Sequence, residues 1–208
     1  MIVYAYNGGW KFGYLVGRFP GKIGWMLTPD SMQEPDPLIP YAFDNGAYSS
    51  HLNSTEWDES KWRKALDRVM NYRHRPEWLA VPDVVGDRAK TLEKWEFHYP
   101  LLQQTGRPLL MCVQDGMTPA DVPSEAGGVF VGGSVKWKWR TLPIWTNAFS
   151  LCHVGKVSSG KHLWTCDRHA VTSVDSSGWF RERWVSMAPL IDYMERKQAG
   201  SPPKGLLF

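Results

Sequence analysis

Six short apolar runs recur along this chain, and each ends in polar or glycine residues. Tyr41-Ala42-Phe43 ends at Asp44-Asn45-Gly46, Trp78 to Val81 at Pro82-Asp83, and Leu109 to Val113 at Gln114-Asp115-Gly116. Val129 to Val131 ends at Gly132-Gly133-Ser134, Cys152 to Val154 at Gly155, and Val171 to Val174 at Asp175-Ser176-Ser177-Gly178. Runs that are apolar throughout, rather than alternating, suit strands buried on both faces. Helices or helix-length connections separate them. Trp62, Leu66, Val69 and Met70 fall at helical spacing behind a cap at Ser54 or Thr55. Asp87 is placed to cap a helix carrying Leu92, Trp95 and Tyr99, and an amphipathic helix from about Phe180 to Arg196 closes the chain. Strands alternating with helices predict parallel β/α units.

Ile23 to Leu27 adds a further strand, and residues 1–20 have room for another. The rest of the first 40 residues is rich in Gly, Pro and aromatics without helical period, and reads as short strands and loops. The expected fold class is therefore α/β, a compact modified (β/α)8 TIM-like barrel with its active site at the C-terminal ends of the strands. A doubly wound open sheet is the alternative, and it too binds ligands at the carboxyl ends of its strands. The 208 residues lie near the short end for such a barrel. They fit a single barrel domain over residues 1–200, with 201–208 as a flexible C-terminal tail.

Composition narrows the class. Hydrophobic residues make up 43% and charged residues 22%, which suits a folded globular chain and excludes general disorder. No apolar run approaches the ~20 residues of a membrane span, so no membrane partner is expected. The N-terminus lacks a basic segment followed by an apolar one, so no secretory signal is expected. Cys112, Cys152 and Cys166 are an odd count with no CxxC, which argues against a disulfide framework and for a reducing cytoplasm. A net charge of +3 permits nucleic-acid binding without demanding it. The 12 Trp are assigned first to cores and interfaces.

On the barrel model, one rim collects Asp44, Asp83, Gln114, Gly132, Gly133, Gly155 and Asp175. Grouped carboxylates repel when ionised, so one or more should be protonated more readily than usual. That prepares one as an acid and another as base or nucleophile, which is what glycosyl chemistry needs. Gln114 offers a donor and an acceptor together, suited to the edge of a base or amide. Gly132-Gly133 lets backbone approach a planar ligand. Singly, Asp44, Asp83 and Asp175 are equally well read as turn or cap residues. At successive strand ends, they favour a site.

The ordered set Phe43-Asp44-Asn45-Gly46-Ala47-Tyr48, Pro82-Asp83, Val113-Gln114-Asp115-Gly116, Val131-Gly132-Gly133-Ser134, His153-Val154-Gly155 and Ser173-Val174-Asp175-Ser176 resembles the tRNA-guanine transglycosylase superfamily. It looks closest to the short DNA-guanine transglycosylase relatives of phages and bacterial DNA-modification clusters, over residues 22–185. The resemblance implies a modified TIM barrel and a transferase that exchanges guanine in a polynucleotide for a 7-deazaguanine. It implies Asp175 as the nucleophile at C1′ and Asp44 as acid/base for the departing and incoming bases. Asp83 would recognise the base's Watson–Crick edge, Gln114 its carbonyl, and Gly133 would read it through the backbone. A nucleoside or nucleotide N-glycoside hydrolase, a base transferase on a small substrate, or a non-catalytic nucleobase-binding barrel remain alternatives. The implied partners are DNA or RNA and a 7-deazaguanine base. A homo-oligomer or a partner protein is compatible with all of these, as is a phage-encoded chain in a host cytoplasm.

The tRNA enzymes of that family carry a structural zinc. Here Cys152, His153, Cys166 and His169 are the nearest residues, and their spacing does not fit the family's pattern. Neighbouring side chains on a strand point to opposite faces, so Cys152 and His153 chelate poorly together. The residues therefore argue against a structural zinc, though the Cys166-x2-His169 spacing leaves one open, and no other cofactor is expected. The shorter chain and the poor zinc match move the expected substrate from tRNA toward DNA or a smaller nucleoside. Lys136, Trp137, Lys138, Trp139 and Arg140 alternate base and aromatic just after the Gly-Gly turn. They are candidates for gripping phosphates and stacking bases, weighed evenly against an amphipathic helix start with Trp in the core.

Overall fold

A computed structural model of the chain describes all residues except Asn7, Ser177, Glu182, Arg183 and 202–208. The proposed tail therefore lies almost wholly outside the described residues. The described residues build strands β1 (Ile2–Ala5), β2 (Ile23–Leu27), β3 (Tyr41–Phe43), β4 (Leu79–Ala80), β5 (Leu109–Val113), β6 (Gly128–Val131), β7 (Cys152–Val154) and β8 (Ser173–Asp175). Each pairs in parallel with the next, and β8 pairs with β1, so the sheet closes in the order β1 to β8. The α/β barrel is the observed fold, and the open sheet is excluded. Closure removes every sheet edge.

The helices are α1 (Trp10–Arg18), α2 (Ala47–Leu52), α3 (Glu59–Met70), α4 (Arg88–Leu102), α5 (Val135–Ala148), α6 (Gly160–Arg168), α7 (Gly178–Arg181) and α8 (Trp184–Gln198). Three differ from the sequence reading, the first being the closing helix expected from about Phe180 to Arg196, in whose place the described residues form two, α7 and α8. Helix α1 occupies a stretch read as loop. Its two glycines, Gly13 and Gly17, weaken the helical signal, yet its buried residues Phe12 and Leu15 anchor it. The cap of α3 is Asp58, whose side chain accepts from Lys61 N at 2.9 Å, rather than Ser54 or Thr55. Asp87 caps α4 by the same bond to Lys90 N.

The strand period divides the core in two. Tyr4, Met26, Ala42, Trp78, Ala80, Leu110 and Cys112 fill the barrel interior, with Phe130 packed against them. The alternate residues, such as Val3, Leu27, Tyr41, Leu79, Val129 and Val154, join the helices in an outer core with Trp62, Trp95 and Trp145. The barrel is thus a packed core closed by side chains, and a cavity opens above the strand ends.

Candidate active site

The inward parity of the strands carries past their last residues and sets the site. Tyr6 follows Tyr4, Asp44 follows Ala42, Gln114 follows Cys112, and Gly132 follows Phe130 on the interior face. Asp175 follows Ser173, and Gly155 follows His153, on the same alternation. These residues, with Asp83, Tyr48, Gly133, Lys138 and Lys156, line one cavity of about 490 Å³ at the C-terminal ends of the strands. That volume lies within the usual range for a small-ligand site.

Asp44 and Asp175 share this cavity. Tyr6 donates to Asp44 Oδ2 at 3.0 Å. Burial, then the Asp175 and Asp44 charges, push the Tyr6 phenol well above its ordinary value, so it stays a donor. Burial and the Asp175 charge push the Asp44 carboxyl up to about 6. The turn around Asp44 is made by its neighbour. Asn45 Oδ1 accepts from Ala47 N at 2.7 Å, and Gly46 takes the left-handed conformation at φ 77°. Asp44 shares in this turn, since its Oδ1 accepts from Gly46 N at 3.3 Å while its Oδ2 takes the Tyr6 hydroxyl.

Asp83 lines the same cavity. Its Oδ1 accepts from Asn45 Nδ2 at 3.0 Å and its Oδ2 from Gln114 Nε2 at 2.6 Å. Burial above all pushes its carboxyl up to about 7. Near neutrality it is present both as acid and as carboxylate, so it can donate to or accept from a ligand. Gln114 also donates to Val84 O and accepts from Gly86 N. Its amide is already used within the protein. Gln114 thus braces Asp83, and the direct base contact implied by the resemblance would require these bonds to be exchanged.

Asp175 is 2% exposed, and both oxygens are held. Oδ1 accepts from Lys156 N at 2.9 Å, and Oδ2 lies 3.1 Å from His153 Nε2. Lys156 is at φ 58°, a costly backbone conformation for a non-glycine residue, retained where it aims its N–H at Asp175. Its ammonium lies over the Tyr48 ring at the cavity wall. Gly133 is at φ 71°, and beside it Asp115 accepts from Ser134 N and Oγ, each at 2.6 Å. A Cβ on Gly155 would meet the Phe130 ring at 2.8 Å, so this position needs its missing side chain.

The basic and aromatic stretch after the Gly-Gly turn is the start of α5, and helix geometry splits it. Lys136 and Arg140 are exposed. Trp137 is 6% exposed and packs against Trp145 in the outer core, so it is corrected from a stacking platform to a core residue. Lys138 is 3% exposed and donates to Gly155 O. It is corrected from a phosphate contact to a buried cavity residue. Burial lowers its ammonium pKa, which the Asp175 charge opposes. Trp139 is half-buried and stacked on the His162 ring, with centroids 4.0 Å apart. Trp179, just past the end of β8, is 2% exposed and belongs to the outer core.

The residues weighed for zinc diverge. His153 faces the interior toward Asp175, while Cys152 and Cys166 belong to the outer core. His169 sits at the C-terminal cap of α6. Among the described residues, no cluster of three or more His, Cys, Asp or Glu is arranged to hold a metal ion. No described helix is long and apolar enough to cross a membrane.

Sequence reasoning missed two residues of the site. Tyr6 lay in a segment whose strand was not located, and His153 was weighed only as a metal ligand. The parity signal, Tyr4 to Tyr6 and His153 to Gly155, points both inward once the strands are placed. No model of a known protein family matches the chain, and no curated protein matches it.

Proposed function

We propose that this protein is a base-exchange glycosyltransferase that replaces guanine in DNA by a 7-deazaguanine through a covalent aspartyl-glycosyl intermediate. The observation that carries the reading is that Asp44 and Asp175 line one cavity of about 490 Å³. They are bonded differently. Asp175 is fixed by two hydrogen bonds, while Asp44 is held near pKa 6 by burial and the Asp175 charge. Two carboxyls in unlike environments divide naturally into nucleophile and acid/base. The resemblance to tRNA-guanine transglycosylases assigns the same residues to the same roles.

In the reaction, an Asp175 oxygen attacks C1′ as the C1′–N9 bond breaks, and Asp44 delivers its proton to the departing guanine. The incoming base gives its N9 proton to Asp44 and attacks C1′, and the Asp175–C1′ bond breaks. No net oxidation or reduction occurs. Asp83, braced by Asn45 and Gln114, presents its carboxyl to the edge of the base. Tyr48, Phe130 and the Gly132-Gly133 turn form the surrounding walls.

The test is exchange of labelled guanine in DNA, with mass spectrometry of the nucleosides after incubation with candidate 7-deazaguanines. Exchange by the unaltered protein and its loss in Asp175→Asn is the expected result. Undiminished exchange in that variant sinks the nucleophile assignment. Burial of Trp137 and Lys138 favours a second reading, in which the same carboxyls act on a free nucleoside. Release of base from a nucleoside, with no measurable DNA affinity at low salt, would select it.

A further inference from the structure

Beneath the cavity, β7 and β8 run side by side with His153 opposite Ser173. His153 is 0% exposed and boxed by the rings of Tyr4, Trp78 and Phe130. Its Nδ1 lies 2.9 Å from Ser173 Oγ and its Nε2 lies 3.1 Å from Asp175 Oδ2. An ionised carboxylate can only accept, so Nε2 must carry the hydrogen. Nδ1 of the neutral ring then only accepts, so the Ser173 hydroxyl must donate to it. Donation therefore runs in one direction, from Ser173 through His153 to Asp175.

We infer that Ser173 and His153 are positioning residues, a neutral hydrogen-bond relay that fixes the Asp175 carboxylate for attack while leaving its charge unpaired by a cation. This inference rests on the reading of Asp175 as nucleophile. A cationic partner at the same place would stabilise the carboxylate before attack and oppose the loss of its charge as the ester forms. A neutral donor supplies orientation with less of that opposition. The surroundings keep the imidazole neutral. The aromatic box desolvates it, the Lys138 ammonium on α5 opposes a second positive charge, and only Asp175 on β8 favours one. Tyr4 on β1 faces the ring as a phenol whose pKa burial raises, so it adds no charge. On the far side of Asp175, the Lys156 N–H completes the clamp.

The test is nitrogen-15 imidazole NMR of the full chain, with the His153 signal assigned by its loss in His153→Gln. The expected spectrum is the Nε2–H tautomer with no titration between pH 5 and 8. Ser173→Ala removes the donor to Nδ1 and should populate the Nδ1–H tautomer. That variant should also lower kcat for base exchange by roughly 10-fold with KM little changed, and His153→Gln by roughly 100-fold, as misplacement of a reacting group does. Ser173→Ala, which deletes a single oxygen, keeps the question answerable if His153→Gln does not fold. An Nδ1–H tautomer in the unaltered protein, a midpoint within that pH range, or full kcat in Ser173→Ala overturns the relay. Failure of the underlying reading looks different: the expected tautomer would be present in a protein that exchanges no base.

Discussion

Tyr6 donates its hydroxyl hydrogen to Asp44 Oδ2 across 3.0 Å, tying the end of β1 to the end of β3 at the cavity wall. Burial and the Asp175 charge favour the protonated Asp44, and the bonds from Gly46 N and Tyr6 favour its carboxylate. The balance leaves the group at about 6, where it can both give and take a proton near neutrality.

Removing that bond should shift the balance in a known direction. Tyr6→Phe deletes a donor to the ionised form, so the Asp44 pKa rises further. In single-turnover release of guanine, Asp44 must be protonated, so the rate falls as pH rises through its pKa. The alkaline limb should start near pH 6 in the unaltered protein and move up by about one unit in Tyr6→Phe, the equivalent of one lost hydrogen bond. An unmoved limb would show that another group governs proton delivery.

Asp44 should also cost stability. Its folded-state pKa, about 6, is above the ordinary value of 3.8, so the folded chain holds this proton more tightly than the unfolded chain. Its contribution therefore falls as pH rises from about 4 to about 6, and stays low above that. Asp44→Asn removes the titration, and the Tyr6 hydroxyl can reverse to accept from the new amide. Denaturant unfolding should find the variant more stable by roughly 1–3 kcal/mol at pH 8 and nearly equal at pH 3. Equal stability at both pH values would mean that the Asp44 charge is well solvated.

The split of the basic stretch on α5 makes a prediction about DNA. Lys136 and Arg140 are exposed, whereas Lys138 is buried against Gly155 O. If the exposed pair contacts phosphates, Lys136→Ala or Arg140→Ala should each reduce the slope of log affinity against log salt by about 0.7 on single strands or about 0.9 on duplex. Lys138→Met should leave the slope unchanged while lowering activity through the cavity. A reduced slope in Lys138→Met would restore that residue as a phosphate contact.

The barrel was legible because its strands are short apolar runs punctuated by polar ends, and burial on both faces leaves that mark directly in sequence. Asp44, Asp83, Gln114, Gly132, Gly155 and Asp175 were legible for the same reason, since strand ends in parallel units share one rim. What escaped depended on side-chain direction. Trp137 and Lys138 fit an alternating surface motif and a helix start with Trp in the core equally well in sequence, and α5, turning about 100° per residue, carries both inward. Strand alternation separates His153 from Cys152 in the sequence and argues against a shared zinc, but the same alternation also sends His153 inward to Asp175, and that consequence is visible only once the strands are placed. Helix α1 escaped because Gly13 and Gly17 lower its helix propensity.

Gly133 offers a local check on the cavity rim. It sits at φ 71°, and a Cβ there would stand 2.6 Å from Asp115 Oδ2 and 2.8 Å from the Trp137 ring. Gly133→Ala must therefore adopt a backbone conformation that side chains disfavour and also displace Asp115 or Trp137. Asp115 holds Ser134 at the N-terminus of α5, so its displacement would loosen the turn and the start of the helix together. The expected loss is roughly 1–3 kcal/mol of stability, with weaker binding of the free base. Gly132→Ala is the control, because a Cβ there meets only Val113 O, at 3.5 Å, and no positive φ is required. Calorimetric unfolding and base-binding titration of the pair would check this. Equal behaviour of the two variants would show that the turn relaxes without cost, and that its left-handed glycine is not needed to shape the cavity.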